Sequence, residues 1–516
     1  MIARTKEPAL TDLPRHDQPP AADPGPVPAP APVALPDLLA LSASELSSAM
    51  ARGAVSAAEL MRVTLDHIDA VNPTFNAIVS LKDRAALLRE AGEADTARAS
   101  GRSRGWLHGI PIAIKDLAAA EGFPTTQGSP LYAKDGNSTA DCLMVARLRG
   151  AGAIVIGKTN TPEFGLGSHS FNPVFGATRN AWDPSKSAGG SSGGAGAALA
   201  LRMVSVADGS DMMGSLRNPA GWNAVWGMRP SAGRVPNNQS PDVFLHQLST
   251  DGPLARTVED LARLLETQSG PAPGAAPLAL PAMKPGVASR LDAGTFEGKR
   301  IGWLGDWGGR MALEPEMHAL CRAALSRMEA MGARVAPLVL DIDPETVWRA
   351  WIDLRSWAVA AKLGPVLADP TTRDLLKPEA VWEIERGLAM SAMDVHRATV
   401  MRSDWHRAMT ALEQDFDAIA LPVAQLFAFP VEWRWPGQIA GRAMDTYHRW
   451  MECVVPASLS GRPAISLPAG FSSAGLPGGI QLIGQFNGDE ALLGLGRAWE
   501  RALSPEDRAL PPALRG

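Results

Sequence analysis

The chain has 516 residues, 46% of them hydrophobic, with a net charge of −5 and an isoelectric point near 6.0. It is long enough to bury a large core, it has no basic block of the kind that binds a polyanion, and it has no apolar run of membrane-spanning length, so neither a nucleic-acid partner nor a membrane is expected. Three widely spaced cysteines, Cys142, Cys321 and Cys453, suit a reducing compartment, give no metal-ligand spacing and place the protein in the cytoplasm.

Ten prolines fall within the first 36 residues, which read as a Pro/Ala-rich extended tail rather than a signal peptide. Folding is expected to begin near Leu38. Ser44 precedes a short amphipathic run, and Ser56 with Glu59 forms a capping-box pattern for a helix that should end before Pro73. Strands are expected at 76–79, 110–114, 153–156 and 204–207, with helices at 141–149 and 193–202 between them. The unbroken Ala153-Ile-Val-Ile156 suits a strand buried on both faces. Residues 270–295 read as a connecting loop. Strands follow at 300–304 and 334–340 around a helix over 317–331, helices fill 343–410, and strands return at 417–422, 464–467 and 478–484. This alternation predicts an α/β fold, a mixed or mostly parallel sheet covered by helices, in one domain over 37–516.

Three polar runs interrupt this pattern: Gly109-Ile-Pro-Ile-Ala-Ile-Lys-Asp116, Gly189-Gly-Ser-Ser-Gly-Gly194 and Gly209-Ser-Asp-Met-Met-Gly-Ser-Leu-Arg217. Taken singly, Lys115 reads as a solvated lysine at a strand end beside Asp116, Ser191 as a tight-loop serine, and Ser215 as a turn serine. Two other patterns compete. Gly152-Ala-Ile-Val-Ile-Gly-Lys-Thr159 fits a phosphate-binding loop, but its apolar residues form a strand whose ladder occupies the N–H groups a phosphate would need. Gly189-Gly-Ser-Ser-Gly193 fits the nucleophile elbow of an α/β-hydrolase esterase, which would make Ser191 the nucleophile and call on His246, His318, His396, His406 or His448.

Taken together, the runs resemble the amidase signature family of Ser-Ser-Lys hydrolases. The likeness continues through Gly157-Lys-Thr-Asn-Thr-Pro-Glu-Phe-Gly165, Asn180-Ala-Trp-Asp-Pro184, Gly227-Met-Arg-Pro230, Gly252–Asp260 and Gly478–Gly484, and spans roughly residues 38–505. The resemblance implies a central twisted sheet with helices on both faces and a helical substrate-side segment over 343–410. It implies that Ser215 attacks a carbonyl and that Ser191, in a cis peptide with Gly190 and 24 residues before Ser215, passes protons to and from Lys115. The N–H groups of Met212, Met213, Gly214 and Ser215 would form the oxyanion hole, with Ser192, Asp211 and Arg217 in support. Met213 stands where family members commonly carry glycine, adding apolar bulk there.

The implied reaction is C–N bond hydrolysis through an acyl-enzyme, with no cofactor and no metal. Fifteen tryptophans, with Trp348, Trp351, Trp357 and Trp382 crowding the helical segment and Trp433, Trp435 and Trp450 after it, read mostly as core. With Met212 and Met213 they also suggest an apolar pocket for small alkyl or aryl amides, anilides or carbamates. A small-molecule amide is the expected partner, with a homodimer as an option. The tRNA-dependent amidotransferase component that transamidates aminoacyl-tRNA, which shares the signature, is the alternative function.

Overall fold

The computed structural model describes residues 35–240, 242–245, 248–274 and 276–515; the expected tail, up to residue 34, and His246 lie outside them. A three-stranded sheet comprises β1 (Ile78–Val79), β2 (Pro111–Lys115) and β3 (Ile154–Thr159), in the order β1-β3-β2 with β2 and β3 parallel. A small ladder joins β4 (Phe171–Asn172) to β5 (Gly176–Ala177). The large sheet draws on β6 (Val206–Asp211), β7 (Trp226–Arg229), β8 (Thr250–Ala255), β9 (Arg300–Trp303), β10 (Arg334–Pro337) and β11 (Ala418–Pro422). After a second small ladder, β12 (Gln438–Ile439) with β13 (Arg442–Ala443), it is completed by β14 (Ala464–Phe471) and β15 (Pro477–Gly484).

The eight strands of the large sheet run β10-β9-β11-β15-β14-β7-β8-β6. The sheet is mixed, as expected, but its balance is antiparallel: only the β10–β9 and β9–β11 ladders are parallel. The remaining ladders are antiparallel; β14 and β15 fold back on each other around the turn at Ser472–Leu476, while β11–β15 and β7–β14 join strands distant in sequence. The strand–helix alternation after Gly109 thus feeds two sheets rather than one. β2 and β3 build the smaller sheet, β6 forms an edge of the larger, and the backbone N–H of Lys115 donates to the Asp208 carboxylate at 3.0 Å to join them.

β2, β3, β11 and β15 are buried along their whole length, which is why they are mainly apolar without alternation, with Lys115, Lys158, Thr159 and Gln481 buried among them. The helix Gly193–Ala200 is also buried throughout. Its small residues allow close approach: a Cβ at Gly194 would stand 2.3 Å from the Asn160 nitrogen and 2.5 Å from the Ala77 oxygen. At the N-terminal end the complete capping box is Ser42 with Glu45, two residues before the expected start, while Ser56 caps its helix through the Glu59 N–H alone. That helix runs through Pro73 to Phe75, since a proline in the last turn costs one hydrogen bond, and it closes on Asn76 in the left-handed region.

Residues 343–410 form the helices Pro344–Ala368, Pro378–Leu388 and Ala392–Leu412. Most tryptophans go inward. Trp351, Trp405 and Trp450 are fully buried in a second apolar cluster, where Trp222 and Trp450 stack with ring centres 5.6 Å apart. Trp433 is exposed, and Trp357 lines a cavity. No helix among the described residues is long and apolar enough to cross a membrane.

Candidate active site

Lys115 ends β2, and its side chain is 1% exposed. Its Nζ lies 2.8 Å from Ser191 Oγ, 2.9 Å from Ser192 Oγ and 3.0 Å from Ser210 Oγ. An ammonium would donate to all three hydroxyls, whereas a neutral amine has two donors and a lone pair, so one hydroxyl must then donate back. Burial disfavours the charged form and lowers the Lys115 pKa to about 7, against the opposing pull of Asp208, Asp251 and Asp211. Near neutral pH the amine is therefore divided between the two forms, which lets it take up a proton and return it.

Ser191 and Ser192 lie in the glycine-rich turn before the Gly193–Ala200 helix, and the Gly190–Ser191 peptide is cis, as the family resemblance implies. Ser215 lies in the turn between β6 and the Arg217–Trp222 helix. Its carbonyl accepts the Ser192 N–H at 3.2 Å, and its Oγ has no hydrogen-bond partner among the described residues while it lines the cavity. The structure thus brings Lys115 and Ser191 into direct contact and sets Ser215, whose hydroxyl has no partner among the described residues, on the wall of the same cavity.

The turn is held from behind by Asp211. Its buried carboxylate accepts from Arg217 Nε and Nη2 at 3.0 Å each, from Arg229 Nη1 at 3.2 Å, and from the Gly214 and Leu216 N–H groups at 2.9 and 3.3 Å. Burial alone would raise its pKa, but Arg217 and Arg229 hold the carboxyl well below its usual range. Arg217 also donates to the Val454 carbonyl, Gln481 and Ser458, tying the turn to β15 and its neighbours. Gly214 adopts φ of +76°, and a Cβ there would lie 2.8 Å from Val454 Cγ2. Met213 does not adopt positive φ, so a side chain is tolerated there without strain; it is 4% exposed and packs in the second apolar cluster while lining the cavity.

Of the four N–H groups expected at an oxyanion hole, that of Gly214 is taken by Asp211. Those of Met212, Met213 and Ser215 have no partner among the described residues.

Sequence reasoning missed Ser210, Asp208 and Asp251. The β6–β8 register pairs Ser210 with Asp251, and Asp208 lies two residues from Ser210 on the same face. This puts two carboxylates beside Lys115, each pushed up to about 6 mainly by burial. The period-two spacing Asp208, Ser210 was the available signal, but it required knowing that the strand extends to Asp211.

Lys115, Ser191, Ser210, Ser215, Asp208 and Asp251 open on a cavity of about 1080 Å³, large enough for a small organic substrate. Leu117, Phe164, Leu166, Leu354, Trp357 and Leu363 supply apolar wall. His396 and His448 also line it, but His448 is engaged by Glu383 and Thr446. His318 rests against Trp303 and His406 against Phe486. Among the described residues no histidine bonds Ser191; its Oγ partner is Lys115. Lys158, of the phosphate-loop pattern, is buried in β3 and donates to the Ala118 carbonyl at 2.6 Å.

The family model described as Amidase matches residues 59–493. The acylamidase of Rhodococcus erythropolis is 34% identical over 464 residues, covering 88% of this chain and 93% of that protein. A glutamyl-tRNA(Gln) amidotransferase subunit from Salinispora arenicola is 33% identical over 506 residues, covering 93% of this chain and all of that one. Among solved structures, a bacterial aryl acylamidase of the amidase signature family superposes with a TM-score of 0.85 at 27% identity, over 92% of this chain and 99% of that chain. The chain belongs to the amidase signature family of amide-hydrolysing enzymes.

Proposed function

We propose that residues 37–516 act as one amidase unit that hydrolyses small apolar or aryl amides, with Ser215 as nucleophile, Ser191 as relay and Lys115 as base and then acid. The observation that carries this reading is the contact between a buried lysine, its pKa lowered to about 7, and the Ser191 hydroxyl at the wall of a largely apolar cavity. Neutral Lys115 takes the Ser191 proton as Ser191 takes that of Ser215, and Ser215 Oγ bonds to the substrate carbonyl carbon. The N–H groups of Met212, Met213 and Ser215 receive the negative charge that develops on the carbonyl oxygen; Gly214 is left out of this set because Asp211 holds its N–H. The proton on Lys115 returns through Ser191 to the leaving nitrogen, the C–N bond breaks, and an acyl ester on Ser215 remains. Water attacks this ester with the same relay acting in reverse. Three buried free cysteines fit a reducing cytoplasm.

Kinetics over a series of anilides, carbamates and aliphatic amides test the substrate class. The walls of the cavity lead us to expect kcat/KM for anilides about tenfold or more above that for small polar amides, the value of a modest apolar contact. A preference for malonamide would sink it. A second reading, transamidation on an aminoacyl-tRNA, draws on the full-length similarity to the Salinispora protein. That function needs partner subunits, so amide hydrolysis by the purified chain alone separates the two.

A further inference from the structure

Arg355, on the Pro344–Ala368 helix, lines the cavity yet is 4% exposed. Three of its sides are fixed. Nε donates to Glu383 at 2.6 Å, Nη2 donates to the Tyr447 hydroxyl at 3.0 Å, and the guanidinium stacks over the Trp351 ring at 5.3 Å. Glu383 in turn accepts from Tyr447 at 2.9 Å and contacts His448 at 3.1 Å. Burial would neutralise this carboxyl, but Arg355 and His448 hold it down to about 2, so it carries a full charge and balances the guanidinium. The fourth side is different. Nη1 has one partner among the described residues, the Met212 thioether at 3.3 Å.

Sulfur of this kind is a weak acceptor, and a guanidinium nitrogen that is buried, rigid and supplied with no oxygen is an unfilled donor. Met212 belongs to the turn that carries Ser215, and Arg355, Met212 and Ser215 line the same cavity, so the donor faces the space in which the reacting amide would lie.

We infer that Arg355 Nη1 is a specificity-determining donor that selects amide substrates carrying an uncharged oxygen acceptor, an ether or a second carbonyl, a few atoms from the scissile carbonyl. An uncharged acceptor fits better than a carboxylate for two reasons. Glu383 already cancels the Arg355 charge, and Asp208 and Asp251 line the same cavity beside Lys115. The inference rests on the proposed amide hydrolysis and adds to it one class of substituent.

The test uses two matched pairs that exchange a methylene for an oxygen: butyranilide against methoxyacetanilide, and 4-ethylacetanilide against 4-methoxyacetanilide. The quantity read is the oxygen-to-methylene ratio of kcat/KM, compared between the wild type and Arg355→Lys, so that the intrinsic reactivity of each amide cancels. Lysine keeps a cation for Glu383 and loses the forked second nitrogen. In at least one pair the ratio should fall about tenfold or more in the variant, the value of a hydrogen bond from a charged donor. Should Arg355→Lys fail to fold by circular dichroism, the double variant R355Q/E383Q, which removes both charges together, should show the same fall. Ratios that agree within twofold between wild type and folded variant, in both pairs, would overturn the inference. Absence of wild-type turnover on all four anilides is a separate result: it would overturn the hydrolytic reading first and this inference with it.

Discussion

Replacing Ser215 by alanine should lower kcat on any accepted amide by about 10⁴-fold or more, leaving a folded protein with its cavity intact. The expected size follows from serine hydrolases in general, where loss of the nucleophile leaves only the contribution of binding and of the oxyanion donors. Ser215 is 7% exposed and its Oγ makes no hydrogen bond among the described residues, so deleting the hydroxyl removes no structural contact. Its carbonyl, which accepts from Ser192, is unchanged by the substitution. A thermal midpoint within a few degrees of the wild type should therefore accompany the loss of rate. Retained turnover in Ser215→Ala would contradict the assignment, and a shift to Ser191→Ala as the inactive variant would revive the elbow reading of the glycine-rich turn.

Removing Lys115 should cost about 10²- to 10⁴-fold in kcat, the range for loss of a positioned base, and should also change the shape of the pH profile. In the wild type the sign is set by which form of the amine works. Neutral Lys115 accepts the proton and the ammonium cannot. With a pKa lowered to about 7, activity is present above neutrality and falls as pH drops through that value, steepening toward about tenfold per pH unit below it. Asp208 and Asp251, pushed up to about 6, titrate just below. Their protonation removes the negative charge that favours the ammonium, so the fall should become shallower below about pH 6. In Lys115→Ala the limb near pH 7 should disappear. A limb that survives the substitution would belong to another group.

The part of this site that was legible in the sequence is the part built from local turns. Lys115 closes an apolar strand, Ser191 lies in a Gly-Gly-Ser-Ser-Gly-Gly run, and Ser215 follows a glycine in the turn after a strand; each is contained in a short stretch of neighbouring residues. The remainder is assembled across the sheet. Ser210 and Asp251 meet only through the antiparallel β6–β8 register, and Asp211 meets Arg229 only because β7 lies two strands from β6. β7 and β8 are hard to read in the sequence because they carry Gly227, Gly252 and Pro253 and lack the β-branched run that makes β3 plain. The direction of the ladders is equally hidden, since strand–helix alternation after Gly109 serves two sheets.

The tryptophans show a different limit: composition names a bulky apolar side chain without saying which way it faces. Trp351 and Trp450 fill the core, and Trp357, six positions beyond Trp351 on the same helix, reaches the cavity. Met213, a departure from the family's glycine, is accommodated because its φ is not positive; the strict requirement for glycine falls one residue later, at Gly214.

The proposed chemistry turns on one covalent bond. Incubation of the wild type with an O-aryl carbamate that acylates serine faster than water clears it, followed by peptide mass mapping, locates that bond directly. A single carbamoyl adduct on the peptide containing Ser215, absent in Ser215→Ala and slow to form in Lys115→Ala, is the predicted result. An adduct on the Ser191 peptide, or undiminished labelling once Ser215 is removed, would contradict it.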